Sequence, residues 1–227
     1  MTVAPGASVL IDPLADNGQG PDTDPNTDAL AVTALASPSA GIAGLTPEGC
    51  IVYRADRDAA GTDALDYTVT DATGLTATGR ITLEIDAGPA SDALATADAQ
   101  RIAYLFEAAF GRAGAAAGIN HWIDRREADG LTHREVAMAF IVSEEFEARL
   151  GPVDGLAAET VVRGLYQNVL GRDGLEPGIA HWTGRLEHPA FTAADLLIAF
   201  ADSPENVVGA PEVATLAEVS DGVWAFL

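Results

Sequence analysis

The run Asp22-Thr23-Asp24-Pro25-Asn26-Thr27-Asp28 alternates oxygen-bearing side chains in the manner of a calcium loop. Calcium is therefore the one candidate cofactor, with Asp22, Asp24, Asn26 and Asp28 as ligands and Asp12 and Asp16 near enough in sequence to add to them. The run is not an EF-hand, because no Gly stands at the sharp turn and Thr33 occupies the place of the bidentate Glu; a solvated acidic loop is the plainer reading. Two dipeptides, His121-Trp122 and His181-Trp182, offer a second chemistry. An indole packs on the apolar face of a pyranose while a neighbouring imidazole bonds to hydroxyls, which makes these four residues glycan-binding candidates. Ile119 and Trp122 share a helical face, however, and that favours core packing for the indoles. A zinc site at the histidines would need further ligands that the spacing does not supply. Arg112 and Arg172 each follow a Gly, and Glu145 and Glu205 recur at the same distance behind them. The expectation is two bidentate ion pairs, each tying the first helix of a unit to its last; the functional alternative is contact with an anion or a sugar acid.

Signatures of catalysis are missing. There is no Gly-x-Ser-x-Gly elbow, no phosphate-binding glycine loop, no His-Glu-x-x-His and no Cys–His pair with supporting spacing. Cys50 is the only cysteine, so neither an intrachain disulfide nor a thiolate cage can form, and its setting is that of a small strand residue. Carboxylates abound, but nothing in the sequence drives the pKa values of any pair apart. A non-enzymatic protein is expected. The formal charge of -22, with no Lys and every cation an Arg, excludes nucleic acid and anionic membranes as partners. No basic segment leads into an apolar run at the N-terminus and no stretch is long enough to span a bilayer, so membrane insertion is not expected; the protein is read as cytoplasmic or as exported without a leader.

The elements that hold these residues fall into two textures. Leu105-Phe106-Glu107-Ala108-Ala109-Phe110-Gly111-Arg112 returns about sixty positions later as Leu165-Tyr166-Gln167-Asn168-Val169-Leu170-Gly171-Arg172, and the register continues without a gap through Gly114/Gly174, Gly118/Gly178, Trp122/Trp182, Phe140/Phe200 and Ser143/Ser203. Ile102, Leu105, Phe106, Ala109 and Phe110 form one helical stripe that Gly111 terminates. A second helix is predicted over 115–127, stopped by Gly130. A capping box at Thr132–Glu135 opens a third, echoed by Thr192–Asp195, and Ser143 and Ser203 cap a short fourth. In the second copy Asp173 and Glu176 face Ala113 and Ala116 of the first, which excludes a duplicated metal loop.

Ahead of the repeat, Ser8–Ile11, Ala29–Leu35, Gly41–Leu45, Cys50–Arg54, Ala64–Val69 and Leu75–Ile85 read as strands divided by turn chemistry. Tyr67 and Val69 would face a core, with the intervening threonines outward. The fold class is thus multidomain: an N-terminal all-β immunoglobulin-like sandwich (1–86), a linker (87–95), and a C-terminal all-α domain of two tandem helical repeats (96–227; copies at about 97–151 and 157–210, terminal segment 211–227).

Val9-Leu10-Ile11-Asp12-Pro13, the acidic loop, Gly61-Thr62-Asp63 and Tyr67-Thr68-Val69-Thr70-Asp71 resemble the cadherin-like, immunoglobulin-fold repeats of bacterial surface and secreted proteins, with Pro13 and a shortened acidic loop departing from the common pattern. Leu170-Gly171-Arg172, Gly178-Ile179, Trp182 and Ser203-Pro204-Glu205, with their counterparts in the first copy, resemble the bacterial domain of unknown function 4214, with His121 and His181 where that family often has an aromatic. The first resemblance implies an extracellular spacer or adhesion domain, and the second a non-catalytic interaction module of exported proteins. The expected function is a surface-displayed attachment or structural protein, its partner a cell-surface glycan or a protein of the same assembly, with self-association left open. A decoration or spike protein of a phage-like particle and a polysaccharide-active enzyme are the alternatives.

Overall fold

The computed structural model describes residues 1–15, 20–86 and 90–227, so Asp16 of the acidic loop and residues 87–89 of the expected linker lie outside it. The protein divides into two compact units, Met1–Gln100 with Ala214–Leu216, and Arg101–Val213 with Ala217–Leu227.

The first unit is a sandwich of seven strands: β1 (Thr2–Val3), β2 (Ser8–Ile11), β3 (Ala31–Leu35), β4 (Gly41–Leu45), β5 (Ile51–Ala55), β6 (Gly61–Thr70) and β7 (Thr76–Ile85). One sheet has the order β1-β7-β6-β3 and the other β2-β5-β4. All pairings are antiparallel except β1 on β7. The alternation of β6 sends Asp63, Leu65, Tyr67 and Val69 inward. There they join Ile51, Tyr53, Ile81, Leu83 and Ile85, and each large apolar side chain so buried contributes about 1.5–3 kcal/mol. The β6–β7 hairpin turns on Asp71, whose Oδ1 accepts from the amides of Thr73 and Leu75, both at 2.8 Å. Gly74 takes the left-handed conformation the turn requires, at φ 90.

Residues 90–95, expected as linker, are instead the opening of α1 (Ala90–Phe110). The Ala-rich sequence after Pro89 has high helix propensity and overrides the loop signal of Gly88, Pro89 and Ser91. Ala97 on this helix belongs to the sandwich core. Gln100 accepts from Ser8 N (2.6 Å) and donates to Ser8 O (3.0 Å), acting as a strand neighbour for β2.

The second unit holds the end of α1, then α2 (Ala116–Asp129), α3 (His133–Ile141), α4 (Glu144–Leu150), α5 (Ala158–Leu170), α6 (Glu176–Leu186), α7 (Ala193–Ala201) and α8 (Pro204–Gly209). Both capping boxes form, Thr132 with Glu135 and Thr192 with Asp195. Ser143 and Ser203 cap the short helices. The third helix of one copy packs on that of the other, α3 on α7, burying Val136, Ala137, Leu196 and Leu197. The terminal segment, for which the sequence predicts no element, is structured as well. A 3-10 helix (Pro211–Thr215) leads into the hairpin β8 (Leu216–Ser220) and β9 (Val223–Phe226), turned by Asp221-Gly222 with Gly222 at φ 70. Asn120 of α2 donates to Trp224 O (3.0 Å) and accepts from Trp224 N (2.8 Å), which seats the buried Trp224.

Candidate functional site

In each helical copy one aromatic of the first helix lies across the start of the second. A Cβ added to Gly114 would come within 2.6 Å of the Phe106 ring, and one added to Gly174 within 2.5 Å of the Tyr166 ring. The repeated glycines are thus the clearance that lets this ring in. Around it gather Phe140 and Trp122 in the first copy and Phe200 and Trp182 in the second, with ring centroids 4.7–5.8 Å apart. Edge and tilted geometries of this kind stabilise beyond the area they bury.

Arg112 and Arg172 stand over the same rings, 5.8 Å from the centroid of Phe106 and 5.4 Å from that of Tyr166. The structure brings each onto the Glu of its own copy. Arg112 donates to Glu145 at 2.9–3.1 Å. Arg172 donates through Nε and Nη2 to the two oxygens of Glu205, both at 2.6 Å. The Arg172 guanidinium holds the Glu205 carboxyl below the usual carboxylate range. Both guanidiniums are thus engaged with a carboxylate of their own copy.

Trp122 and Trp182 are half-buried and His121 and His181 are exposed. Each imidazole meets its neighbouring indole edge-on, at 5.5 Å and 4.9 Å with interplanar angles of 77°. In the second copy Trp182 also stacks on Phe191, and the Arg185 guanidinium lies 4.5 Å from the Phe191 centroid. The inward faces of the indoles therefore serve the core, and an indole edge beside an imidazole is what each copy offers outward.

In the acidic loop two carboxylates are bonded within the fold. Asp24 Oδ1 accepts from the amides of Asn26 (2.7 Å) and Asp28 (3.2 Å), and Asp22 Oδ2 accepts from the Tyr67 hydroxyl (3.2 Å). Among the described residues no three His, Cys, Asp or Glu side chains are gathered as a metal would require. The alternation of Asp22, Asp24, Asn26 and Asp28 here makes an Asx-type turn at Asp24, a short side-chain carboxylate satisfying the nearby amides. The loop roofs an open cleft of about 310 Å³ over Leu30, Tyr67, Val69 and Ala77.

A residue not singled out from the sequence as a site is Asp63, which is 2% exposed. Its carboxylate accepts from Ser39 N (3.1 Å), Ser39 Oγ (2.7 Å), Ala40 N (3.0 Å), Ala64 N (2.9 Å) and the Tyr53 hydroxyl (3.0 Å). Burial alone would raise its pKa, but the bonds from Ser39, Ala40 and Ala64 hold it at about 2. It is a fixed anion that pins the β3–β4 connection, not a proton donor. The Cys50 thiol is pushed up by burial and by Asp12 and Glu48, the opposite of what a nucleophile needs.

Comparison with known proteins agrees with the architecture. Residues 1–84 match the bacterial Ig domain. Residues 90–150 and 137–209 match the domain of unknown function (DUF4214). No curated protein matches the sequence. A solved structure that matches is that of a nucleoside hydrolase-related hypothetical protein from Saccharophagus degradans associated with carbohydrate metabolism, at 18% identity over 38% of this protein and 22% of that one, with a TM-score of 0.27. A likeness that slight carries no argument about fold or activity. The bacterial Ig domain points to a surface or extracellular protein, and among the described residues no helix is long and apolar enough to cross a membrane. With two overlapping matches that together span more than half of its 227 residues, the protein belongs to the DUF4214 family.

Proposed function

We propose that this is a non-catalytic attachment protein, displayed at a cell or particle surface, whose helical repeats take a neutral cell-surface glycan. The observation that carries the reading is the duplicated pair of exposed imidazoles set edge-on against half-buried indoles. An indole edge gives an apolar surface to a sugar ring, and the imidazole nitrogens can donate to and accept from its hydroxyls. Neutrality follows from charge. Arg80, Arg101, Arg112, Arg125, Arg134, Arg163 and Arg172 are paired with the protein's own carboxylates, and the net charge of -22 repels acidic sugars. Two equivalent sites on one molecule let weak contacts add by avidity. Retention on immobilised neutral glycans tests this. A His121→Ala/His181→Ala protein should lose retention with an unchanged melting temperature, and retention equal to wild type would refute the imidazole–indole site.

A further inference from the structure

The cleft under the acidic loop is floored by Leu30, Val69 and Ala77, and Leu75, 70% exposed, stands beside them. One phenol ties the loop across it. A Cβ added to Gly79 would collide with the Tyr67 ring, so this glycine gives the ring its seat, and from there the hydroxyl lies 3.2 Å from Asp22 Oδ2 and 3.4 Å from Pro13 O. Asp22, Asp24 and Asp71 also line the cleft, and no Arg or Lys does. Each of the three is held in the fold through a single oxygen. Asp22 Oδ2 accepts from Tyr67, Asp24 Oδ1 from the amides of Asn26 and Asp28, and Asp71 Oδ1 from those of Thr73 and Leu75. Among the described residues nothing donates to the other oxygen of any of them. The cleft is thus an apolar trough edged by carboxylates that no cation of the fold neutralises.

We propose that this cleft takes a lysine side chain presented by another protein, its methylene stem along Leu30, Val69 and Ala77 and its ammonium among Asp22, Asp24 and Asp71. The chemistry of the two sides matches. A lysine pairs a long apolar stem with a compact charge, and the ammonium carries three donors for three separate acceptors, whereas a guanidinium is a planar fork suited to one bidentate carboxylate. A volume of about 310 Å³ holds a side chain and lies at the small end of the range for ligand pockets. The occupant is not a second copy, because the sequence contains no Lys. A net charge of -22 draws a basic partner in and weakens that pull as salt rises. The site belongs to the sandwich, so its fate is separate from that of the imidazole–indole pairs.

The test is a nuclear magnetic resonance titration of the full-length protein, at low salt and with a chelator present, with the capped peptide acetyl-Gly-Gly-Lys-Gly-Gly-amide. The amides of Leu30, Val69, Leu75 and Ala77 should shift saturably, with a dissociation constant on the order of 1 mM. A peptide carrying diaminopropionic acid in place of lysine keeps the charge and loses three methylenes, and should bind at least about tenfold more weakly. Asp24→Asn/Asp71→Asn keeps the Oδ1 acceptors of both turns and removes two charges, and should weaken the lysine peptide roughly tenfold while shifts elsewhere in the sandwich stay unchanged. Equal binding of the two peptides would reduce the effect to general charge attraction and overturn the proposal. So would a double variant that binds as wild type does, an arginine peptide that binds more tightly than the lysine one, or calcium that, without the chelator, shifts the same amides and excludes the peptide.

Discussion

Replacing Asp63 with Ala removes the side-chain acceptor of the Ser39 and Ala40 amides and the carboxylate partner of the Tyr53 hydroxyl. A buried polar group left unpaired costs about 1–3 kcal/mol. With some water entering the space, the loss for Asp63→Ala should be about 3–5 kcal/mol, a large share of the roughly 5–15 kcal/mol that holds a domain folded. Asp63→Asn keeps the size and removes the charge, and its cost follows from the titration. The carboxyl is lowered from 3.8 to about 2, which converts to about 2–3 kcal/mol. Because the folded value is depressed, that contribution is present above 3.8 and lost as pH falls through about 2. Wild type should thus exceed Asp63→Asn in stability at pH 5, and the gap should close on acidification. The assay is urea unfolding followed by near-ultraviolet dichroism of Tyr53 and Tyr67, since all three tryptophans lie after residue 100 and report the helical unit. An Asp63→Ala sandwich within about 0.5 kcal/mol of wild type, the scatter of ordinary surface substitutions, would refute this reading of the knot.

Gly174→Ala drives a Cβ to 2.5 Å from the Tyr166 ring and should cost about 1–3 kcal/mol by overpacking; thermal melts should show the loss shrinking in a Tyr166→Leu background. Asn120→Ala removes both bonds to the Trp224 backbone, and protease nicking after Trp224 should accelerate while α2 stays helical. Arg172→Lys cannot reproduce the fork to Glu205 and should lower the melting temperature. Since Arg172 depresses the Glu205 carboxyl, the difference between the two proteins should vanish as pH falls through that lowered value.

Much of the scaffold is legible in the sequence because it rests on short-range chemistry. The sixty-residue register locates both Arg–Glu pairs, both capping boxes and the glycines, although the reason for Gly114 and Gly174 is visible only in the way Phe106 and Tyr166 lie across them. The alternation in Asp66-Tyr67-Thr68-Val69 places its inward face correctly. What escapes depends on partners far apart in sequence. Two-residue β1 exists only because β7 offers it an edge. Asp63 meets Ser39 and Tyr53 across separations that no periodicity encodes. The closing hairpin is within reach of sequence reasoning, since Asp221-Gly222 between Glu218-Val219 and Val223-Trp224 carries the turn signal. In the acidic loop, composition gives the oxygen-bearing side chains, but the bonds from the Asn26 and Asp28 amides to Asp24 Oδ1 depend on the local course of the backbone.

The glycan reading meets its sharpest check in equilibrium titration of the full-length protein with neutral oligosaccharides, combined with chromatography of the recovered sugar. The expected result is two equivalent sites per molecule, falling to one in either the His121→Ala or the His181→Ala protein, with the sugar recovered intact. A single site indifferent to both substitutions, or a shortened sugar in the recovered fraction, would contradict it.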